Sequence, residues 1–135
     1  MVSGSVVQML GFFRTTVLSP RIPLAEVIGS RLLKSDAQKL LRSFVTVQDV
    51  FGASEANKVF ANVSTLAPDG TTTTRGQMRD SAIEIVDIDG NLVAPGMNGI
   101  LRIRNPYMAA CYVGDPVASD DAFRDGWFYP GDVAA

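Results

Sequence analysis

Histidine is absent from the 135-residue sequence, and this absence excludes several classes of active site. Without histidine the chain can form neither a Ser-His-Asp triad nor a Cys-His pair, and histidine-based zinc sites are excluded as well. Any chemistry carried by these residues must therefore depend on carboxylates, hydroxyls, backbone amides or a bound metal ion.

Cysteine, charge imbalance and long apolar runs are also scarce. The single cysteine, Cys111, excludes an internal disulfide and indicates a reducing compartment, so we predict a cytoplasmic location. The 12 basic and 14 acidic residues give a net charge of -2, which offers no electrostatic reason to expect nucleic acid binding. No apolar run approaches the roughly 18 residues of a membrane-spanning helix, so no transmembrane segment is predicted.

The first half of the chain has the pattern of a βαβ unit. The apolar stretch "LAEVIGS" (24–30) predicts a buried strand, "SDAQKLLRSF" (35–44) predicts a helix, and "VTVQDVF" (45–51) predicts a second strand. Ser35 with Gln38 three residues later fits a capping box at the start of the helix. One apolar face of this helix is formed by Ala37, Leu40, Leu41 and Phe44. The unit implies parallel strands joined by a right-handed crossover.

The second half is rich in turn signals and alternating strands. Residues 64–77 look like a loop, "SAIEIVDIDGNLV" (81–93) predicts a hairpin, and "ILRIR" (100–104) predicts a half-buried strand. Ser119 is a candidate N-cap of a short helix. We therefore predict α/β followed by antiparallel β, with a partial parallel α/β subdomain over residues 1–75. A small β-barrel-like subdomain would cover residues 76–135.

Three turns are candidates for binding. In "DVFGASEANK" (49–58) a strand ends in small residues and a glutamate, at the sheet edge where α/β folds bind ligands. Backbone amides there would reach an anion, and Glu55 would suit a hard cation. "VIGSRLL" (27–33) supplies a second turn beside it, and "DGWFYPGD" (125–132) a third that ends in a carboxylate. Taken singly, each is better explained as an ordinary surface turn.

Together these motifs, in this order and spacing, resemble the adenylate-forming superfamily. The resemblance covers about residues 24–135 and includes the hairpin "IEIVDIDGNLVAPGMNGILRIRN" and the stretch "YVGDPVASDDAFRDGWFYPGD". It implies an ATP-dependent ligase that joins a carboxylic acid to adenylate and then to a thiol, usually coenzyme A. Fatty or aryl acids are favoured as substrates. The expected cofactors are ATP or AMP, Mg²⁺ and coenzyme A.

The resemblance also implies roles for individual residues. Phe51 would stack on adenine, Asp49 would contact its amino group, and Glu55 would ligate Mg²⁺. The remaining nucleotide-binding positions implied by the motifs are Gly29, Ser30, Arg31, Gly52, Ala53, Ser54 and Asp132. Ser54 would contact the α-phosphate, and Asp132 would bind the ribose hydroxyls.

Several positions depart from the family pattern, and important parts of it are absent. Phe51 stands in place of tyrosine, Ser54 in place of threonine, Pro130 in place of threonine, and Ile100 in place of glutamate. A phosphate loop ending in lysine and the C-terminal catalytic lysine are missing. We therefore expect a fragment of a longer parent chain, with no complete catalytic set and no activity alone. A non-catalytic binding module and a pseudoenzyme remain as alternatives.

Overall fold

A computed structural model describes all 135 residues, Met1–Ala135, and the chain divides into two compact units. The first unit consists of Met1–Phe51 and Phe60–Gln77. The second consists of Gly52–Val59 and Met78–Ala135. The short segment Gly52–Val59 therefore belongs to the second unit, although the chain on either side of it belongs to the first.

Three helices and ten strands follow one another along the chain. They are β1 (Val2–Gly4), α1 (Val6–Phe13), β2 (Ile22–Ile28), α2 (Lys34–Leu40), β3 (Phe44–Ala53), β4 (Asn57–Leu66), β5 (Thr72–Met78), β6 (Ala82–Val86), β7 (Gly99–Arg104), α3 (Pro116–Ala122), β8 (Phe123–Arg124), β9 (Trp127–Phe128) and β10 (Val133–Ala134). None of the helices is long and apolar enough to cross a membrane.

The predicted βαβ unit is confirmed. Strands β2 and β3 are parallel neighbours, with Val27 paired with Asp49, and α2 connects them. The sheet runs in the order β1-β2-β3-β4-β5, and β1 is also parallel to β2. Its helix-covered core is formed by Met9, Ala25, Val27, Leu40, Leu41, Phe44 and Val47. The apolar period predicted over residues 37–44 is buried throughout, but it passes from the helix into the strand, because Phe44 opens β3.

The predicted start of α2 is wrong. The N-cap is Leu33, which makes no side-chain capping bond, and Ser35 lies inside the helix. Asp36 instead occupies the first turn, where a negative charge favours the helix dipole, and it pairs with Lys39 at 2.8 Å. A capping box does occur in α1, between Ser5 and Gln8. The Ser-x-x-Gln pattern therefore forms a capping box at Ser5 and Gln8, whereas at Ser35 and Gln38 the same spacing does not cap the helix.

The stretch 64–77 forms a hairpin and not a loop. Strand β4 extends to Leu66 and β5 begins at Thr72, so only the tip between them is a turn. Hydroxyl pairs cross the hairpin: Ser64 to Thr74 at 2.9 Å and Thr65 to Thr73 at 3.1 Å. Threonine is β-branched and favours strands, so the threonines after the tip continue as β5. The Pro68, Asp69 and Gly70 turn signals mark the tip of the hairpin alone.

The second unit is built around β7. Strands β6, β9 and β10 all pair with it antiparallel, and β8 pairs with β9. Its core residues are Ala56, Val59, Leu101, Ile103 and Phe128. The alternation predicted for "ILRIR" is confirmed, since Leu101 and Ile103 are buried. The predicted fold class, α/β followed by antiparallel β, is confirmed, and the antiparallel strands do not close into a barrel.

Trp127 packs under arginine side chains on the outer face of this sheet. The guanidinium carbons of Arg102 and Arg104 each lie 4.5 Å from the ring centroid. Arg102 also makes an ion pair with Glu84, its neighbour across the strand pair. The indole is consequently only 7% exposed, although it does not belong to the apolar core of the unit.

A tight turn joins β3 to β4. Only Ser54, Glu55 and Ala56 lie between the two strands, and the Ala56 N–H donates to the Ala53 carbonyl at 3.2 Å. A Cβ added at Gly52 would overlap the backbone carbonyl oxygen of Asn57. The close approach of the two chains at the base of this turn therefore requires glycine.

We expect Gly52→Ala to destabilise the protein. The overlapping atom belongs to backbone and has no rotamer into which it can move, so the cost should be roughly 1 to 3 kcal/mol. Chemical denaturation gives the free energy of unfolding. As a control, Gly11→Ala places a methyl in open space within α1. It should stabilise the protein by roughly 0.5 to 1 kcal/mol, and equal effects of the two substitutions would contradict the prediction.

Candidate functional site

The glycine turn after β2 is fastened to strand β3 in the first unit. Gly29 has φ +87°, a conformation that side chains disfavour, and it turns the chain directly after Ile28. The Leu32 N–H then donates to Asp49 Oδ2 at 3.1 Å. Since β2 and β3 are parallel neighbours, their carboxyl ends share one edge of the sheet. The predicted residues of the turn and Asp49 are therefore brought together there.

Asp49 is electrostatically unusual. Burial raises the pKa of its carboxyl above the ordinary value of 3.8. The hydrogen bond from Leu32 and the positive charge of Arg31 oppose this shift, but they do not cancel it. Folding therefore disfavours the charged form of Asp49. The carboxyl accepts from backbone with one oxygen, Oδ2, in a partly buried position.

The end of β3 differs in detail from the predicted turn. Gly52 and Ala53 continue the strand, and the turn proper starts at Ser54. Phe51 is 39% exposed, so its ring presents an apolar surface that a planar ligand can cover. Ser54 is exposed, whereas Glu55 is half-buried.

Three hydrogen bonds from the segment Asn105–Tyr112 hold the turn that carries Glu55; we call them the clamp. The Asn105 side-chain amide donates to the Ala56 carbonyl at 2.7 Å, and the Ala109 N–H donates to the Glu55 carbonyl at 2.7 Å. The Tyr112 hydroxyl donates to Glu55 Oε1 at 2.8 Å. All of these residues belong to the second unit. The clamp fixes both the backbone and the carboxylate of Glu55.

Tyr112 is itself held by α3. Its N–H donates to the Ser119 hydroxyl at 2.9 Å, and its ring meets the Phe123 ring edge-on at 5.4 Å. Ser119 was predicted as an N-cap, which is wrong: Asp115 caps the helix, and Ser119 is buried within it. The pKa of the Tyr112 hydroxyl is raised, chiefly by its bond to Glu55, so the phenol keeps its proton as a donor.

Sequence reasoning did not identify Asn105 and Tyr112 as part of the site. The clamp bonds join residues between 49 and 57 positions apart, and no local pattern marks such a pair. The weak signal that existed was chemical: Asn105 is a polar residue directly after the buried alternation of β7. Such a side chain needs a partner when it is buried, as Asn105 is.

The turn that carries Asp132 is connected to β7. The Leu101 N–H donates to the Asp132 carbonyl oxygen at 3.0 Å, and Val133 pairs with Ile100. Gly131 has φ +86°, which sets the direction of the chain before the strand. The Asp132 residue is exposed, and no hydrogen bond holds its carboxylate.

The predicted residues are divided between the two units. The first unit contains Gly29, Ser30, Arg31, Asp49 and Phe51, and the second contains Gly52, Ala53, Ser54, Glu55 and Asp132. For the predicted residues within each unit, the structure shows the backbone conformation, the exposure and the hydrogen bonds. The roles of all ten residues in binding a ligand stay predictions.

Glu55 fits the donor set of a magnesium site. No group of three or more acidic or thiol side chains comes together anywhere in the chain, so a closed protein cage for a metal does not form. Magnesium commonly uses one or two carboxylates, with phosphate oxygens and water as the other ligands. Glu55 accepts a protein hydrogen bond at Oε1 only, which leaves Oε2 available to a cation.

Comparison with curated proteins finds CoA ligases. A long-chain-fatty-acid–CoA ligase of Salmonella typhimurium is 41% identical over 51 residues, which cover 38% of this chain and 9% of that protein. The probable CoA ligase CCL9 of Humulus lupulus is 28% identical over 117 residues, which cover 84% of this chain and 22% of that protein. The chain thus spans at most about a fifth of the length of these relatives. No family model matches the sequence.

Solved structures of adenylate-forming enzymes share the fold. The o-succinylbenzoate CoA synthetase MenE of Bacillus subtilis, in complex with its acyl-adenylate intermediate, matches 98% of this chain with a TM-score of 0.72 and 19% identity. A benzoate CoA ligase of Burkholderia xenovorans LB400 matches 97% with a TM-score of 0.73 and 20% identity. This chain covers 35% and 28% of those chains. The resemblance seen in the sequence motifs is therefore confirmed.

We expect Asp49→Asn to stabilise the protein at neutral pH. The amide keeps an acceptor oxygen for Leu32 but cannot ionise, whereas the pKa of the Asp49 carboxyl lies above 3.8 in the folded protein. Between 3.8 and that raised pKa the folded state binds more protons than the unfolded state, so wild-type stability falls as pH rises. The advantage of the variant should therefore grow from acid to neutral pH in urea unfolding.

Asp69→Asn provides a control of opposite sign in the same unit. Hydrogen bonds from the Thr71 hydroxyl and N–H lower the pKa of the exposed Asp69 carboxyl. Ionisation there favours the folded state, so Asp69→Asn should lose stability relative to wild type as pH rises toward 3.8 and above. A pH dependence of the same sign in both variants would contradict this account.

Proposed function

We propose that this chain, whose resemblance to the adenylate-forming enzymes is confirmed in sequence and in fold, is a segment of an ATP-dependent ligase that joins a carboxylic acid to coenzyme A. The reaction has two steps. The acid carboxylate attacks the α-phosphorus of ATP and releases pyrophosphate, and a thiol then takes the acyl group from the adenylate. The observation that carries the proposal is the Glu55 carboxylate, clamped on a turn with one oxygen available.

The first unit would bind the adenine base. Phe51 presents an exposed ring for stacking, and phenylalanine keeps the aromatic face that tyrosine would offer to the base. Asp49 would accept a hydrogen bond from the adenine amino group. The turn Gly29, Ser30 and Arg31 is fixed beside Asp49 through Leu32, and it would line the adenine and acyl pocket.

The second unit would bind the phosphates and the ribose. Ser54 would donate to the α-phosphate, and Gly52 and Ala53 would bring the strand close to it. Glu55 would hold Mg²⁺, which when bound neutralises phosphate charge. The exposed Asp132 carboxylate would accept both ribose hydroxyls, on a turn that β7 positions by backbone bonds.

Fatty or aryl acids are the proposed substrates. The names of the similar proteins refer to long-chain fatty acids, to indoleacetate and to benzoate, so one kind of acid is not singled out. The remainder of the parent chain would be the main partner of this segment. The proposed location is cytoplasmic, since a chain with a single cysteine suits a reducing compartment.

We propose further that the 135 residues alone are catalytically inert. They contain neither the glycine-rich phosphate loop ending in lysine nor the catalytic lysine that the family resemblance implies. The positive charge of such a lysine would stabilise the reacting phosphate. A pseudoenzyme is the second candidate for the parent. It is favoured by Pro130, which places a residue with no hydroxyl and no N–H directly before Gly131 and Asp132.

The proposal predicts metal-dependent nucleotide binding. Isothermal titration of the chain with ATP should show weak binding, of about millimolar dissociation constant, that tightens when Mg²⁺ is added. Glu55→Gln should abolish most of the tightening, because an amide is a much poorer ligand for Mg²⁺ than a carboxylate. Asp120→Asn, an exposed carboxylate on α3, is the matched control and should behave as wild type. Equal Mg²⁺ dependence in both variants would refute the role of Glu55.

A second prediction concerns turnover. The chain should give no ATP–pyrophosphate exchange above background with fatty or aryl acids, even at nucleotide concentrations where it binds. In the enzymes that the chain resembles, two lysines would stabilise the negative charge of the reacting phosphates. The 135 residues do not contain these lysines. A full-length CoA ligase assayed in parallel is the positive control, and clear exchange by the 135 residues would show that inertness is wrong.

A further inference from the structure

We infer that Tyr112 is a positioning residue for the proposed metal ligand: its hydroxyl fixes Glu55 Oε1 and leaves Oε2 as the oxygen that would bind a divalent cation. The inference rests on the proposed function, because it takes Glu55 as the cation ligand. It goes beyond that function because it assigns a task to Tyr112, a residue to which the sequence motifs assigned none.

The contact is specific to one oxygen. The Tyr112 hydroxyl lies 2.8 Å from Glu55 Oε1, and no other protein group donates to this carboxylate. A glutamate side chain has three rotatable bonds, and fixing them costs conformational entropy. A protein donor that holds the carboxylate before the cation arrives supplies this ordering in advance. Glu55 Oε2 would then be held in place before a cation binds.

The donor is rigid because its own ring and backbone are held. Ser119, buried in α3, accepts from the Tyr112 N–H at 2.9 Å. The Tyr112 ring packs edge-on against Phe123, which in turn stacks on the core residue Phe128 at 5.3 Å. The position of the hydroxyl is thus set by the core of the second unit and not by an exposed loop.

The backbone of Glu55 is fixed independently of its side chain. The Ala109 N–H holds the Glu55 carbonyl, and Asn105 holds the next carbonyl, that of Ala56. Removal of the Tyr112 hydroxyl should therefore release the carboxylate without releasing the turn. This separation makes the positioning role testable apart from the folding of the turn.

The chemistry of the donor suits a cation site. A phenol is neutral, so it orients the carboxylate and leaves its negative charge for the cation, whereas lysine or arginine would neutralise that charge. The phenol oxygen donates its single proton to Oε1 and carries no positive charge of its own. Outer partners that orient carboxylate ligands are a general feature of metal sites.

The test uses Tyr112→Phe in the 135-residue chain, which keeps the ring and removes only the hydroxyl. The quantity measured is the ratio of two affinities, for ATP with Mn²⁺ and for ATP without metal. Loss of an outer partner typically weakens metal binding about 10-fold or more, so the ratio should fall about 10-fold. The affinity for metal-free ATP should stay unchanged, which a general loss of structure would not allow.

A ligand-free measurement accompanies the titration. Side-chain ¹³C relaxation of Glu55 should show a more mobile carboxylate in Tyr112→Phe than in wild type. Tyr107→Phe is the matched control, since Tyr107 lies in the same segment and its hydroxyl makes no hydrogen bond to protein. The control should leave both the affinity ratio and the relaxation of Glu55 as in wild type.

The outcomes separate the inference from the proposed function. If Glu55→Gln lowers the affinity ratio but Tyr112→Phe does not, the inference is overturned and the proposed function stands. Unchanged Glu55 relaxation in Tyr112→Phe would overturn the inference as well. If the wild-type chain shows no preference for ATP with Mn²⁺, or if Glu55→Gln leaves the preference intact, both the proposed function and the inference fall.

Discussion

The arrangement of the candidate phosphate site depends on hydrogen bonds that reach across the sequence to one three-residue turn. Asn105, Ala109 and Tyr112 donate to Ala56 and Glu55, and each bond replaces water at a group that would otherwise need it. A short turn between two strands has little core of its own. These bonds give it a fixed backbone and a fixed carboxylate within the second unit.

In the first unit, a side-chain hydrogen bond holds a turn at the edge of the parallel sheet. The glycine turn after β2 must be held in place, and the Asp49 carboxyl does this by accepting from Leu32. The cost is a partly buried carboxyl whose pKa is raised. A protein under selection for stability alone would gain by an uncharged side chain there.

Local patterns predicted the elements well where one physical signal dominated. The apolar period of residues 37–44 and the alternation of residues 100–104 describe buried faces, and both are buried in the structure. Patterns failed where two signals competed. The threonines of β5 were assigned to a loop because turn residues directly precede them. Leu33 and not Ser35 is the N-cap of α2, and Asp115 and not Ser119 caps α3. Cap residues are common in turns and helices alike, so spacing alone does not select among neighbouring candidates.

The sequence by itself determined the resemblance to adenylate-forming enzymes, the βαβ unit and the candidate residues on its turns, because these features are written in short motifs and in residue periodicity. Only the tertiary structure decided which atoms hold those residues. The partners of Glu55 lie up to 57 positions away, and the link between Leu32 and Asp49 depends on the register of two strands. Pairings of this kind arise when separate elements pack together, and no window of the chain that contains only one partner encodes them.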